Sequence, residues 1–234
     1  MVICLGRKLN KQRVTVLLAT NANGTNKLPP YFIGKAKSPR CFAGRLASHY
    51  GLSYSANAKA WIRSDLFTAW LRSQDDIFRK QGRHVLLLMD NAPSHKTDGL
   101  KLSNIKVHKL EPNTTPFNQP LDAGIIHAFK ARFRQMIDNH VVNVVGPSTA
   151  DSHKVDILTG MQWDTAAWRD VTQEAILNCW KHFRVLPAPG LHEVEEQDLE
   201  YTFHMESDRD KNSLCLMLDA IHICNAMALS FLLM

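Results

Sequence analysis

Acidic residues are missing from the start of this chain: residues 1–50 hold nine Lys or Arg and no Asp or Glu. That absence rules out local charge compensation and leaves a one-sided positive field, which suits a polyphosphate partner or else a solvated basic face. Cysteine is sparse and unpatterned. Cys4, Cys41, Cys179, Cys215 and Cys224 are odd in number and form neither a C-x-x-C pair nor a zinc spacing, so a disulfide framework and a structural zinc site are both excluded. The thiols read as reduced and intracellular. The apolar stretch at Met1–Leu5 is too short for a signal peptide, and no internal repeat occurs. The last 21 residues are apolar, but Asp219, His222 and Asn225 interrupt them. Each would be costly in a bilayer, so a core-packing C-terminal helix is expected and no membrane partner.

What is present divides unevenly. Residues 1–150 carry 22 basic and 8 acidic residues, a net of +14, whereas residues 151–234 carry 6 and 14, a net of −8. At 234 residues with 45% hydrophobic content, the chain can bury one sizeable core. The β-branched run at 13–20, the Asn-Gly turn chemistry at 21–24 and the apolar run at 28–34 predict a hairpin. A basic loop follows over 35–60. Residues 64–80 show helical recurrence, with Ser64 as the expected N-cap. Within 83–90 the apolar run is unbroken over 85–89, as in a central parallel strand covered on both faces. Residues 105–110 alternate as a further strand, 111–120 form a stiff Pro/Asn/Thr loop, and Pro120 opens a helix striped with Ile125, Phe129, Phe133 and Ile137. One last helix is expected over 163–183. Trp61, Trp70, Trp163 and Trp168 are expected in the core.

Two carboxylates carry the chemistry. In "VLLLMDNAPSHK" (85–96), the strand ends on Asp90, at the kind of strand terminus where open sheets build their sites. Asp122 falls in the first turn of the helix after Pro120. Separated by one strand and one loop, the two can converge, and a hard divalent cation would relieve their repulsion. Each also has a structural reading: Asp90 as a turn cap, Asp122 as a first-turn partner of the helix dipole. His95 can sit near the site, but a turn-capping or surface position is expected for it. Lys35, Lys37 and Arg40 on the basic loop, with Lys130, Arg132 and Arg134 on the Asp122 helix, are the candidate contacts to a nucleic-acid backbone.

The ordered words "KQRVTVLLATNANGTNKLPPYFIGKAKSPRCF", "AKAWIRSDLFTAWL", "VLLLMDNAPSHK", "LEPNTTPFNQPLDAGIIHAFKARFR" and "AWRDVTQEAILNCWKHF" resemble the DDE superfamily endonuclease domain of pogo/Tigger-type transposases. Jerky-like proteins and centromere protein B are relatives in that family. The resemblance spans roughly residues 5–185 and implies an α/β, RNase H-like fold: a mixed sheet flanked by helices. It also implies Mg²⁺ or Mn²⁺ bound by three acidic residues, the second and third of which map to Asp90 and Asp122. The family's first Asp, in a D-E-T-G-like word on the central strand, has no counterpart before "GRKLNKQR".

Residues 1–185 are therefore expected to form a truncated endonuclease domain lacking the first central strand, and 186–234 an acidic linker and apolar C-terminal helix of unknown role. The implied function is nuclear DNA binding through phosphates. The inherited reaction is metal-dependent strand cleavage and transfer, expected to be inactive in this chain. The alternative is a non-catalytic DNA-binding or protein-interaction module, with self-association or a protein partner left open.

Overall fold

The computed structural model describes residues 10–90, 92–97, 99–110, 121–144, 155–182, 220–223 and 227–233. The predicted hairpin is present. Strand β1 (Asn10–Leu17), continued after Leu18 by β2 (Ala19–Asn21), pairs antiparallel with β3 (Tyr31–Gly34), Val16 opposite Phe32. Gly24 makes the turn possible, at φ +69° and with its N–H donating to the Asn21 carbonyl at 3.1 Å. A Cβ there would lie 2.9 Å from the Gln173 Cα, so only glycine fits both the dihedral and the space. The stretch expected as a plain loop over 35–60 contains two 3₁₀ turns (Arg40–Phe42 and Ala47–Tyr50) and strand β4 (Ser53–Ala56), parallel to β3. The word "SYSA" has too little apolar alternation to announce a strand. It forms because the open edge of β3 offers a ladder.

Helix α1 (Ser64–Lys80) matches its prediction, although Arg63 occupies the N-cap and Ser64 is the first helical residue. The Asp65 carboxylate lies 3.2 Å from Arg63 Nε, in the first turn where a negative charge meets the helix dipole favourably. Strands β5 (Val85–Met89) and β6 (Ile105–Lys109) are parallel neighbours. A π-helical turn (Leu121–Ile125) leads into α2 (Ile126–Val144). The single helix expected over 163–183 is two: α3 (Ile157–Asp170) and α4 (Gln173–His182). Val171 is extended, and the Thr172 hydroxyl accepts from the Ala175 N–H at 3.2 Å. That cap offers the chain a new helix start, even though the apolar four-residue spacing runs straight through the break.

Among the described residues the C-terminal stretch expected as a helix is extended. It supplies strands β7 (Ala220–Ile223) and β8 (Met227–Leu233). β8 pairs antiparallel with β1 from Asn10↔Leu233 to Val16↔Met227, and β7 lies between β2, antiparallel, and β5, parallel. The sheet orders are β4–β3–β1–β8 and β2–β7–β5–β6, joined along the β1–β2 run. The central position expected to be empty is thus filled from the other end of the sequence. The physical reason is backbone satisfaction: the inner edges of β1–β2 and β5 present donors and acceptors that a helix cannot pair.

Helices cover both faces, and the α/β architecture is consistent with an RNase H-like fold. Alternate strand residues point to opposite sides. Leu17, Tyr31, Ile33, Leu87 and Met89 pack with Phe67, Trp70, Leu71 and Phe78 of α1. Val14, Val16, Phe32 and Leu88 pack with Phe129, Phe133, Met161, Trp168 and Trp180 of the other helices. Lys27 fixes this second layer: its Nζ donates to the carbonyls of Trp168, Arg169 and Val171 at 3.1, 2.6 and 2.7 Å, capping the end of α3. No helix among the described residues is long and apolar enough to cross a membrane.

Asp75, buried on α1, clamps the entry to β6 by accepting the N–H groups of Ser103, Asn104 and Ile105 at 3.0, 2.8 and 2.9 Å. Burial works to raise its pKa, but the three donors and Arg79 outweigh it, and the carboxyl lies below its ordinary value. A folded-state pKa below the unfolded one adds stability above the unfolded pKa, lost as pH falls through the folded value. Asp75→Ala should therefore cost ~2–4 kcal/mol at neutral pH, since orphaned buried donors are expensive. In denaturant unfolding at a series of pH values, the gap to wild type should narrow below about pH 4. A second expectation concerns the central strand. Ile221 pairs with both Asn21 and Leu87, so Ile221→Pro removes an N–H from the middle of the sheet and should lower stability by ~1–3 kcal/mol. An unchanged unfolding midpoint would mean that residues 220–233 do not hold the sheet together.

Candidate functional site

Asp90 sits one residue beyond β5, where the strand leaves the sheet between its neighbours β7 and β6. It is only 6% exposed. Its Oδ1 accepts from the Ala92 N–H at 3.3 Å, an Asx-type contact that caps the turn. The structural reading of Asp90 therefore holds as far as it goes. It does not exhaust the residue, because Oδ1 also meets His95 Nδ1 at 2.5 Å. Since a carboxylate oxygen can only accept, Nδ1 is the donor. Among the described residues Asp90 Oδ2 accepts no hydrogen bond.

His95 is where expectation and structure differ most. It is a fully buried residue, not a surface histidine. Its backbone N–H donates to the Ala92 carbonyl at 2.8 Å, which folds the chain back so that the ring reaches the carboxylate five residues before it. Phe67 of α1 packs on the ring at 4.5 Å between centroids. Nε2 is buried and makes no hydrogen bond among the described residues. The ring is thus held by packing on one side and by a single charge-assisted bond on the other, which locks the Asp90 carboxylate in one orientation.

Asp122 is the second residue of the π-helical turn that starts α2; its side chain lies outside the described residues, as does Pro120. Among the described residues no three His, Cys, Asp or Glu side chains group as a metal site. Asp164 on α3 is fully buried and without a hydrogen-bond partner among the described residues, and burial pushes its carboxyl well above the ordinary range. A carboxyl held in that state is a poor cation ligand.

All six candidate backbone contacts are exposed: Lys35, Lys37 and Arg40 after β3, and Lys130, Arg132 and Arg134 on α2. None forms an ion pair among the described residues. On the helix, Lys130 and Arg134 stand four residues apart on one side, whereas Arg132 lies about 160–200° away around the axis. The structure therefore keeps two of these three together. Of the tryptophans, Trp70 and Trp168 are buried and Trp163 half-buried, but Trp61 is 52% exposed. That corrects the expectation of core packing for it.

The DDE superfamily endonuclease family matches residues 11–180, from β1 to α4. Among curated relatives, Tigger transposable element-derived protein 4 of Mus musculus is 27% identical over 205 residues, covering 86% of this chain and 39% of its own length. CENP-B homolog protein 2 of Schizosaccharomyces pombe is 30% identical over 181 residues, covering 73% and 35%. Major centromere autoantigen B of Homo sapiens is 27% identical over 172 residues, covering 73% and 27%. The chain thus spans well under half the length of these relatives. No solved structure matches it. A family match that takes in β1 to β6, the Asp90 turn and all four helices leads to one conclusion: this chain belongs to the DDE superfamily endonuclease family.

Proposed function

We propose that this chain is a transposase-derived domain that binds DNA through its phosphate backbone and presents Asp90 and Asp122 to a divalent cation. The observation that carries the reading is the buried Asp90–His95 pair. It leaves one oxygen of a strand-end carboxylate without a hydrogen bond among the described residues, on a turn that two bonds and an aromatic ring make rigid. Such an oxygen fits Mg²⁺ or Mn²⁺, which take hard oxygen ligands. When bound, the ion supplies activation of a water or 3′-hydroxyl and stabilisation of the leaving oxygen at a phosphodiester. The chain's own contribution is orientation. His95 is a positioning residue: it holds Oδ1, so that the carboxylate does not rotate, and it keeps water from that oxygen.

The exposed lysines and arginines grip phosphates without reading sequence. A nuclear location follows from a DNA partner, and the names of the relatives, one of them a centromere autoantigen, support it. Two carboxylates give weak cation binding.

Calorimetric titration with Mn²⁺ tests the site. Weak binding should be abolished by Asp90→Ala and by Asp122→Ala. His95→Asn, whose amide nitrogen overlays Nδ1, should retain it, and His95→Leu should weaken it several-fold with the fold intact by circular dichroism. Binding that ignores both Asp substitutions would overturn the assignment. Duplex DNA of unrelated sequences should bind with similar affinity, and the affinity should fall steeply with salt, at roughly −0.9 in log–log slope per phosphate contacted. Fluorescence anisotropy across a salt series reads this directly. A strong sequence preference with a flat salt response would contradict backbone contact.

A further inference from the structure

Trp61 stands out for how firmly an exposed ring is held. β3 and β4 run parallel, so the loops that follow them leave the sheet side by side. The backbone N–H of Asn57 donates to the Gly34 carbonyl at 3.0 Å, and Tyr54 Oη donates to the Ala36 carbonyl at 2.7 Å. Burial, reinforced by Cys41, pushes the Tyr54 hydroxyl up to about 12, so it remains a donor. The loop bearing Trp61 is thereby pinned beside the loop bearing Lys35 and Lys37.

Within its own loop Trp61 is fixed twice more, and Lys59 once. Asn57 Nδ2 donates to the Trp61 carbonyl at 2.5 Å, and Asn57 Oδ1 accepts from the Trp61 N–H at 3.3 Å and from the Lys59 N–H at 3.1 Å. Ala60, fully buried, takes a left-handed φ of 52°, and its carbonyl accepts the buried Thr15 hydroxyl at 2.7 Å. A non-glycine residue in that conformation is strained and persists only because its surroundings impose it. All this order serves a ring that is left half exposed, with Lys59 Nζ 5.9 Å from its centroid. A single exposed apolar side chain is ordinary. A strained turn held by several hydrogen bonds that presents an indole beside a lysine is not required for packing.

We propose that Trp61 is a stacking platform for an unpaired nucleobase, with Lys59, Lys35 and Lys37 holding the phosphates of the same strand. This rests on the DNA-binding reading above and deepens it. An indole on a loop tip can stack only on a base whose face is open, and in duplex DNA those faces are covered by neighbouring bases. The partner is therefore single-stranded: a gap, a frayed end or a flap. Positive charge with no acidic residue nearer in sequence than Asp65, already paired with Arg63, complements its backbone. β3 and β5 run the same way through the sheet, so this loop and Asp90 leave the same end of it. Four strand spacings and about four residues of rise separate the end of β4 from Asp90, roughly 23 Å. One bound strand can reach both.

The test uses the full chain, a short fluorescent oligodeoxythymidylate and a blunt hairpin duplex, with anisotropy over a salt series. Trp61→Ala and Trp61→Leu should each weaken single-strand binding roughly tenfold, with the salt slope and the duplex affinity unchanged, because stacking carries no counterion release. Trp61→Phe should keep most of the affinity. Lys59→Ala should instead flatten the single-strand salt slope by roughly 0.7. The Leu variant keeps apolar cover without a π-face, so wild-type affinity in it overturns the platform. Equal losses on duplex and single strand also overturn it. If wild type binds neither probe, the DNA-binding reading fails and the platform with it; if it binds both and Trp61→Ala changes nothing, the platform alone fails.

Discussion

The centre of the sheet is where every other part of this molecule obtains its position. β1–β2 and β5 run in opposite directions, and neither can pair with the other across the gap between them. The segment 220–233 completes both ladders at once: antiparallel to β1 and β2, parallel to β5. A missing strand here would leave two rows of inward-facing N–H and C=O groups without partners, each carrying a desolvation cost. It would also uncouple the β5–β6 ladder from that of the hairpin, leaving only side-chain packing by the helices to bridge the two. Asp90 stands at the end of β5, so the geometry of the candidate site depends on this pairing even though no site residue belongs to the pairing strand.

Charge is distributed in the same spirit. The basic half of the chain exposes lysines and arginines on the loop after β3, on α1 and on α2, while several of its carboxylates are put to defined uses. Asp75 ties a helix to a strand through three backbone donors, Asp65 sits in a first helical turn and Asp90 is buried against His95. Two of these are protected from solvent and bonded on one or both oxygens. Asp65 and Asp76 pair with Arg63 and Arg79 around α1, but the six candidate contacts form no ion pair among the described residues, so their field is left for an external anion.

Much of the site was legible in the linear sequence, because its signals are local. The apolar run into Asp90 announces a covered strand ending on a carboxylate, and the turn chemistry of Asn and Pro places the break correctly. The role of His95 was not legible. Five residues of irregular chain separate it from Asp90, and nothing in spacing says whether a histidine after a proline turns outward or inward. Phe67, from a different element, decides that by packing against the ring. Trp61 was misjudged for the converse reason: an indole ordinarily belongs to a core, and only the neighbouring strained turn at Ala60 holds this one outside.

The sequence alone determined the hairpin, α1, the buried strand β5, the helix after Asp122 and the membership of the family, since apolar periodicity and ordered motifs are properties of contiguous residues. The break between α3 and α4, the strand β4 and above all the identity of the central strand were decided by tertiary structure. Residues 220–233 are apolar enough for a helix or a strand, and local propensity does not choose between them. The choice was made by two distant strands whose backbone groups could be satisfied only by a third extended chain.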